Sequence, residues 1–220
     1  MIIPNLNHLH HYPMLNSTVP TSHDKVIQPH YCHPQALVET TTIGAGTRIW
    51  AFVHILQGAI IGQNCNICDH CFIENQVSIG DNVTIKCGVY LWNGITLKDN
   101  VFVGPNVVFT NDVKPRSGNV DYSMLPTVIQ QGASLGANST ILAGITIGEY
   151  ALTGIGSVVT RDVPAYALVY GNPARQHGWV DEQGEKLLPS TTQLNGWYSP
   201  VTGNCYKLIS SGLTPVESSL

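Results

Sequence analysis

A strict six-residue spacing of aliphatic and aromatic residues constrains the fold of this chain more than any other feature. An α-helix turns once every 3.6 residues, so a six-residue period would carry the apolar side chains around its whole surface. One short strand followed by one corner accounts for the period, and three such units close a triangular coil that buries its neighbour's face. The first run consists of Ile43, Ile49, Ile55, Ile61, Ile67, Ile73, Ile79, Ile85, Leu91, Leu97, Val103 and Phe109.

Small or β-branched residues follow four positions after the members of this run, as at Cys65 and Val77. The spacing stops after Phe109 and resumes at Ile129, Leu135, Ile141, Ile147, Thr153 and Val159. The two runs predict an all-β parallel helix of about six coils, from which the loop 111–128 projects. Loops that project from rigid scaffolds often carry function.

The composition excludes several functional classes. Charged residues make up 11% of the chain and hydrophobic residues 43%, which is not a disordered composition. A net charge of −4 favours neither a nucleic-acid partner nor an anionic membrane. No apolar run approaches the roughly 18 residues of a membrane span, and residues 1–15 lack a signal-peptide layout. Six cysteines without a secretion signal predict reduced thiols in the cytoplasm.

Three segments are expected. Residues 1–30 form an N-terminal extension that is expected to be poorly ordered, because Pro and Asn are scattered through it and no repeat is seen. Residues 31–175 form the β-helix domain. Residues 176–220 lack the repeat and are expected to form a small cap that protects the open edge of the last coil.

The string CNICDHC at 65–71 has the spacing of a metal site. The repeat argues against this, because Cys65 and Cys71 take the small inward position on successive walls and behave as core thiols. Cys68 belongs to a corner instead. We therefore predict no metal site here.

One wall of the predicted prism differs from the others. Residues three repeats apart stack in columns, and one column is occupied by the amides of Gln57, Asn75, Asn93 and Asn111. Stacked amides have a structural interpretation as side-chain ladders along a solenoid, which stays open for Gln57 and Asn75. The cluster beside the loop adds an acid and an aromatic residue, which favours a functional site. Its members are Glu74, Trp92, Asn93, Asn111 and Asp112.

The repeat resembles that of the hexapeptide-repeat acyltransferases, and this resemblance implies a left-handed parallel β-helix and a homotrimer with sites between subunits. Further strings narrow it to sugar-nucleotide N-acetyltransferases that acetylate a 3-amino group, over about residues 30–180. The sequence is most similar to the enzymes for dTDP-3-amino-3,6-dideoxyhexoses in surface polysaccharide biosynthesis. The sister branch acts on UDP-2-acetamido-3-amino-2,3-dideoxy-glucuronate and stays an alternative, because Asn93 stands where the dideoxyhexose enzymes commonly carry Asp. The strings are IWAFVHI (49–55), DHCFIEN (69–75), IKCGVYLWNGI (85–95), VFVGPNVVFTND (101–112), PRS (115–117), GASLGANSTILAGITIG (132–148), GSVVTRDVP (156–164) and YGNPAR (170–175).

Amides suit acyl transfer to an amine. Their N–H groups can hold the oxyanion that develops on the thioester carbonyl, and amide or carboxylate oxygens can orient the amine. Candidate proton acceptors are His54, His70, Glu74 and Asp112. Alternatively, the amine binds already neutral and the departing thiolate takes the proton. The candidate catalytic residues are Asn93, Asn111, Asp112, His54 and His70, and the candidate substrate-binding residues are Glu74, Asn75, Lys86, Trp92 and Arg116.

The resemblance also implies that acetyl-CoA, the acetyl donor, lies along the later coils between two subunits. The forked guanidinium groups of Arg161 and Arg175 suit its phosphates, although a solvated surface cation is an alternative for Arg161. Arg116 is placed to meet the sugar's pyrophosphate or to stabilise the loop. The candidate residues for the donor are Gly136, Ala137, Gly154, Arg161, Asn172 and Arg175.

Two other classes compete with the transferase hypothesis. A zinc lyase of the carbonic-anhydrase type also uses a left-handed β-helix, with three histidines at the trimer interface. His54 and His70 do not share a column, and no third histidine lies in the next coils. A non-enzymatic trimeric β-helix module is the other class, and the loop together with the Trp and Asn cluster argues against it.

Overall fold

The computed structural model describes residues 29–118, 123–191 and 196–216, which form strands and turns without a helix. The fold is a left-handed parallel β-helix whose triangular coils stack into three flat walls, followed by a four-stranded antiparallel sheet. The predicted N-terminal extension 1–30 lies almost wholly outside the described residues. Within the described ranges there is no helix of the length and apolar character that a membrane span needs.

Strands are numbered in chain order. Wall one contains, in stacking order, β1 (Tyr31–Cys32), β3 (Arg48–Ile49), β6 (Asn66–Ile67), β9 (Thr84–Ile85), β12 (Phe102–Val103), β15 (Ser134–Leu135), β18 (Leu152–Thr153) and β20 (Ala167–Gly171), with β21 (Ala174–Trp179) antiparallel at its end. Wall two contains β2 (Leu37–Val38), β4 (His54–Ile55), β7 (Phe72–Ile73), β10 (Tyr90–Leu91), β13 (Val108–Phe109), β16 (Thr140–Ile141) and β19 (Val158–Val159). Wall three contains β5 (Ile60–Ile61), β8 (Ser78–Ile79), β11 (Ile95–Leu97), β14 (Thr127–Ile129) and β17 (Thr146–Ile147).

The six-residue period places the second residue of each short strand in the prism interior. Ile73 and Leu91, for example, are fully buried and pair across adjacent coils of wall two. The small residues Cys65 and Cys71 are buried beside them, where large side chains from three walls leave little space. This pairing of residues three repeats apart confirms the predicted columns.

The expected number of coils was too low. Wall one stacks eight parallel strands rather than six, because one coil precedes Ile43 and another follows Val159. The six-residue spacing does not reveal these two coils. Leu37 pairs with His54, and Leu152 pairs with Leu168, and in each pair the two residues are fewer than three full repeats apart. A shortened corner keeps the coil closed but moves the apolar residues out of the six-residue phase.

The predicted loop leaves the prism after wall two and returns at wall three. Val108 pairs with Tyr90 in the preceding coil at the regular spacing, but its partner in the following coil is Thr140, far beyond that spacing. The insertion therefore lengthens this one coil. Its returning limb packs against the prism. The side chain of Met124 lies over Gly94, and that of Leu125 lies over Gly144.

The last coil is covered by a C-terminal sheet of β22 (Leu188–Pro189), β23 (Gly196–Tyr198), β24 (Cys205–Ile209) and β25 (Gly212–Pro215). Tyr206 is fully buried there and, with Tyr166, donates its hydroxyl to the carboxylate of Glu182. Burial and the Glu182 carboxylate raise the pKa of both phenols. Ala165 joins the two parts, since its N–H donates to Ser211 O at 3.0 Å. The assignment of residues 176–220 to a separate segment stays a prediction.

Candidate active site

The outer face of wall two carries a row of aromatic side chains. His54, Phe72 and Tyr90 are aligned by the register of β4, β7 and β10. The His54 and Phe72 rings are 5.4 Å apart and meet edge to face, and the Phe72 and Trp92 rings are 5.9 Å apart in the same geometry. Edge-to-face contacts of this kind are favourable for aromatic pairs. The row therefore forms one continuous surface that we call the aromatic row (His54, Phe72, Tyr90 and Trp92).

An acid stands at the N-terminal end of the aromatic row. Glu39 Oε1 lies 2.8 Å from His54 Nε2. Glu39 reaches this position because its N–H donates to Ile55 O at 2.9 Å, which aligns the first coil with the second. Sequence reasoning missed Glu39, because the shortened corner after Val38 hides the first coil from the six-residue count. Without the coil, no column relates Glu39 to His54.

Two side chains of the amide column accept hydrogen bonds from the backbone. The Gln76 N–H donates to Asn93 Oδ1 at 2.9 Å, and the Gly58 N–H donates to Asn75 Oδ1 at 3.0 Å. Each amide oxygen therefore satisfies a corner N–H of the preceding coil. This supports the structural interpretation for Asn75, and it leaves the amide nitrogen of Asn93 as the group that is not used in this contact.

Glu74 and Trp92 also bind the backbone of the adjacent coil. Glu74 Oε2 accepts the Asn93 N–H at 2.7 Å, and Trp92 Nε1 donates to Phe109 O at 2.7 Å. Both side chains are half-buried. They are thus held in one orientation, with the Glu74 carboxylate against the backbone N–H of Asn93. The structure brings together Glu74, Trp92 and Asn93, which are three of the five residues of the predicted cluster.

The loop begins at the same corner. Asp112 Oδ1 accepts the Lys114 N–H at 2.7 Å, which is an Asx turn that starts the excursion. Arg116 is exposed and donates from Nη1 to the adjacent Pro115 O at 2.7 Å. Asn111 is exposed and follows Thr110, whose Oγ1 accepts the Ala143 N–H at 2.9 Å. Sequence reasoning also missed Met124, which closes over Gly94 beside Asn93.

His70 and Lys86 lie at the corner before wall two. The exposed His70 ring stacks on Phe52 with centroids 4.9 Å apart and an interplanar angle of 15°. His70 also has a left-handed backbone, with φ of 61°. Lys86 is half-buried at the same corner of the next coil. These two candidates therefore lie at the corner before wall two, whereas Glu74 and Asn93 lie at the corner after it.

The cysteines of CNICDHC are free thiols that differ in burial, since Cys65 and Cys71 are buried and Cys68 is half-buried. Cys71 is buried, and this burial raises the pKa of its thiol to about 12. The Cys68 thiol instead contacts that of Cys87 in the next coil. Among the described residues, no group of three or more His, Cys, Asp and Glu side chains is arranged to hold a metal ion.

The two arginines predicted for the donor phosphates line one pocket of about 270 Å³ at the last coils. Arg161 and Arg175 are both exposed there, and Arg175 Nη1 donates to Ala174 O at 2.9 Å. The two side chains therefore line one pocket rather than separate surfaces. Asp162 shares the pocket, but its Oδ1 accepts the Thr146 N–H at 2.8 Å.

The other donor candidates lie along a nearby corner. The N–H groups of Gly136 and Gly154 donate to Thr153 O and Val169 O, at 2.9 and 2.8 Å. These nitrogens hold the coils together and are not available to a ligand. Ala137 is half-buried, and Asn172 is exposed before the cis bond to Pro173.

Comparison with known proteins places the chain in a family. A model of the bacterial transferase hexapeptide (six repeats) matches residues 40–75 and 76–111, and a model of the hexapeptide repeat of succinyl-transferase matches 58–93 and 126–161. A dTDP-3-amino-3,6-dideoxy-α-D-galactopyranose 3-N-acetyltransferase of Aneurinibacillus thermoaerophilus is 64% identical over 157 residues, which cover 71% of this chain and 82% of the relative. The chain belongs to the hexapeptide-repeat acetyltransferases. The resemblance found in the repeat is thereby confirmed.

Solved structures of hexapeptide-repeat acetyltransferases are also similar. One from Vibrio cholerae, complexed with acetyl coenzyme A, is 25% identical with a TM-score of 0.44, over 70% of this chain and 73% of that one. The perosamine N-acetyltransferase of Caulobacter crescentus, in complex with CoA and GDP-perosamine, is 23% identical with a TM-score of 0.39, over 69% and 58%. Both scores are below 0.5, so the Aneurinibacillus relative is the stronger guide to function.

Proposed function

We propose that this hexapeptide-repeat acetyltransferase moves the acetyl group of acetyl-CoA to the 3-amino group of a dTDP-3-amino-3,6-dideoxyhexose, for surface polysaccharide biosynthesis in the cytoplasm. The observation that carries the proposal is the 64% identity to a 3-N-acetyltransferase of that substrate class across 71% of the chain. Identity of this extent exceeds what a shared repeat scaffold requires, because the outward-facing positions of each hexapeptide are not constrained by the core.

The corner at Glu74 and Asn93 is the proposed site for the amino sugar. Asn93 Oδ1 is committed to a backbone N–H, so its amide N–H₂ is the group that would hold the developing oxyanion or a sugar hydroxyl. Glu74, fixed by the Asn93 N–H, would orient the amine. Asn111 and Asp112 at the root of the loop would close the site, and Asn75, Lys86 and Arg116 would contact the sugar nucleotide at its edge.

The aromatic row offers a surface for the remainder of the substrate. Tyr90 is 50% exposed although it lies in the middle of the row, and Trp92 is half-buried. Aromatic faces of this kind stack on planar rings such as a nucleobase or on the apolar face of a sugar.

The donor would bind toward the C-terminal coils. Arg161 and Arg175 would pair with its phosphates, and Gly136, Ala137, Gly154 and Asn172 would line its path. The backbone N–H groups of Gly136 and Gly154 already donate to other coils. The two glycines would therefore leave space for the donor rather than form hydrogen bonds with it.

A homotrimer with sites between subunits is part of this proposal. Leu37 and Val108 on wall two are 57% and 50% exposed, and both continue the apolar surface at the two ends of the aromatic row. A neighbouring copy would cover them and exclude water from the reaction, which strengthens the electrostatic contacts in the site.

The test is a substrate panel. The purified protein is incubated with acetyl-CoA and one amino sugar at a time, and free CoA thiol is followed together with the mass of the sugar product. We expect CoA release and a gain of one acetyl group with dTDP-3-amino-3,6-dideoxyhexoses, and little with UDP-2-acetamido-3-amino-2,3-dideoxy-glucuronate. Release with the UDP sugar alone would move the protein to the sister branch, and no release with any sugar would overturn the proposed function.

A further inference from the structure

Two cysteines from neighbouring coils meet at the corner before wall two. Cys68 directly follows β6, and Cys87 comes two residues after β9, one coil further along the prism. The Cys68 thiol contacts that of Cys87, and both thiols are free. Neither residue belongs to the proposed sugar or donor site, so the proposed function does not account for their contact.

Backbone hydrogen bonds set the distance between the two residues. The Cys68 N–H donates to Ile85 O at 2.8 Å, and the Gly88 N–H donates to Asp69 O at 3.2 Å. These bonds continue the parallel register of β6 with β9 on both sides of the pair, so Cys87 lies one residue diagonally across from Cys68. With a strand spacing of about 4.8 Å and a rise of about 3.3 Å per residue, this diagonal is roughly 6 Å. Disulfides join Cα atoms that are about 4.4 to 6.8 Å apart, so the spacing of this corner suits a disulfide.

The two thiols differ in their access to solvent. Cys87 is exposed, whereas Cys68 is half-buried. The Cys68 sulfur accepts a hydrogen bond from Asn66 Nδ2 at 3.4 Å, and Asn66 is itself held because its Oδ1 accepts the Trp50 Nε1–H at 2.8 Å. Burial raises the pKa of the Cys68 thiol. An exposed thiol beside a fixed and more protected one is the arrangement of a first-reacting cysteine and its resolving cysteine.

The other cysteines are not placed for the same chemistry. Cys65 and Cys71 are buried, and their S–H groups donate to Gly80 O at 3.1 Å and Lys86 O at 3.3 Å. Burial raises the pKa of Cys71 to about 12, so its thiol stays protonated at neutral pH and is a poor nucleophile. The remaining two cysteines lie in β1 and β24, away from this corner.

We propose that Cys68 and Cys87 form an oxidation site that reacts with hydrogen peroxide and closes a reversible disulfide between neighbouring coils. The Cys87 thiolate attacks one peroxide oxygen, the O–O bond breaks, and Cys87 becomes a sulfenic acid while the other oxygen takes a proton and leaves as water. The Cys68 sulfur then attacks the Cys87 sulfur, and the sulfenic oxygen leaves as a second water with the Cys68 proton. The two thiols are oxidised by two electrons, and one peroxide is reduced to two waters. A dithiol such as dithiothreitol restores both thiols.

The test maps disulfides in the full chain. Reduced protein, freed of reductant, is treated with hydrogen peroxide, the remaining thiols are alkylated in denaturant, and unreduced peptides are analysed by mass spectrometry. Trypsin cleavage after Lys86 releases Cys87, and cleavage before Asp69 separates Cys68 from Cys71. We expect a peptide pair linked through Cys68 and Cys87 that is about 2 Da lighter than its reduced parts, because two hydrogen atoms are lost. Dithiothreitol should reverse the link.

Matched variants give the controls. Cys68→Ser is expected to remove the linked pair and to carry Cys87 on to the sulfinic acid, because no resolving thiol remains. Cys205→Ser changes a thiol outside the corner and should keep the link. Fragment ions of the wild-type peptide distinguish Cys68 from Cys65, so the wild type alone decides if Cys68→Ser does not fold. A link to Cys65 or Cys71, a link between two copies of Cys87, or no disulfide at all in the wild type would overturn the proposal.

Thermal unfolding of the same samples tests whether the bond fits the corner. Oxidation is expected to raise the Tm of the wild type by about 5 °C, because a cross-link restricts the unfolded chain. Cys205→Ser should show the same rise and Cys68→Ser none. An unchanged or lower Tm of the oxidised wild type would show that the bond strains the corner and would overturn the proposal. No substrate enters these measurements, so their result is independent of whether the substrate panel supports or overturns the proposed function.

Discussion

The corners that follow wall two and wall three are built alike, yet only one carries a candidate site. Two residues after the inward position, Asn75 and Asn93 at the first corner and Asp81 and Asp99 at the second accept a backbone N–H of the preceding coil. The four oxygens do the same structural work. An amide or carboxylate column is therefore typical of a stacked corner, and it does not by itself indicate a site.

The two corners differ at the residue that directly precedes each capping residue in the sequence. After wall three this position is occupied by Gly80, where an added Cβ would lie 2.2 Å from Asp99 Oδ1, and in the next coil by the exposed Lys98. After wall two the matching residues are Glu74 and Trp92, which have room because their side chains turn along the coil and bind its backbone. At the corner after wall two, both coils thus carry a fixed side chain beside the cap that can contact a substrate. At the corner after wall three, Gly80 offers no such side chain, and the exposed Lys98 follows in the next coil.

The largest expected effect separates the two corners by activity. Asn93→Ala and Asp99→Ala each leave a corner N–H without its acceptor, so both should lower the free energy of unfolding by about 1 kcal/mol. Only Asn93→Ala should lower turnover, by about 100-fold, the usual loss for a hydrogen-bond donor to an oxyanion. Thermal unfolding and CoA release measure the two effects. Equal turnover in both variants would remove the distinction between the corners.

The donor pocket tests whether the site continues beyond the corner of wall two. Arg161→Ala and Arg175→Ala should each raise the KM for acetyl-CoA about 10-fold, because one charge-assisted hydrogen bond to phosphate is lost. The kcat should stay close to that of the wild type. Arg48→Ala, at an exposed position of wall one, is the control. An unchanged KM in both pocket variants would place the donor elsewhere.

Gly94 tests the contact between the loop and the corner. It has φ of 86°, and an added Cβ would lie 2.9 Å from Met124 Sδ. Gly94→Ala should cost about 2 kcal/mol of unfolding free energy from backbone strain and displacement of Met124. Gly156 has φ of 63° with nothing near its Cβ position, so Gly156→Ala should cost about 1 kcal/mol from strain alone. A larger loss for Gly156→Ala would contradict the proposed packing of the loop.

The smallest expected effect concerns thiol reactivity. Burial raises the pKa of Cys71 to about 12, so at pH 8 its thiol stays protonated and should not react with iodoacetamide in the folded protein. Cys87 is exposed and should be alkylated first. Peptide mass spectrometry after timed labelling checks the order, and Cys87→Ser is the control for the assignment. Early labelling of Cys71 would show that this part of wall two opens in solution.

Much of the fold followed from spacing alone. The six-residue period predicts that Ile73 and Leu91 point into the prism, and both are buried there. In a prism with three flat walls, one fixed position of each hexapeptide must face the interior. The columns follow for the same reason, since a coil of three hexapeptides returns each position above itself. The coils at both ends were not predictable, because a corner shortened at Val38 or after Val159 breaks the count without breaking the structure.

The sequence by itself determined the regular coils, the loop and the cluster of Glu74, Trp92 and Asn93, all of which depend on local spacing. Only the tertiary structure decided which atoms of these side chains are already bonded and which partners come from other coils. Glu39 meets His54, Met124 meets Gly94, and Arg161 shares a pocket with Arg175 because stacking and chain return set these contacts. The sequence distance between such partners depends on how long each corner is. A repeat pattern does not reveal a corner whose length changes only once.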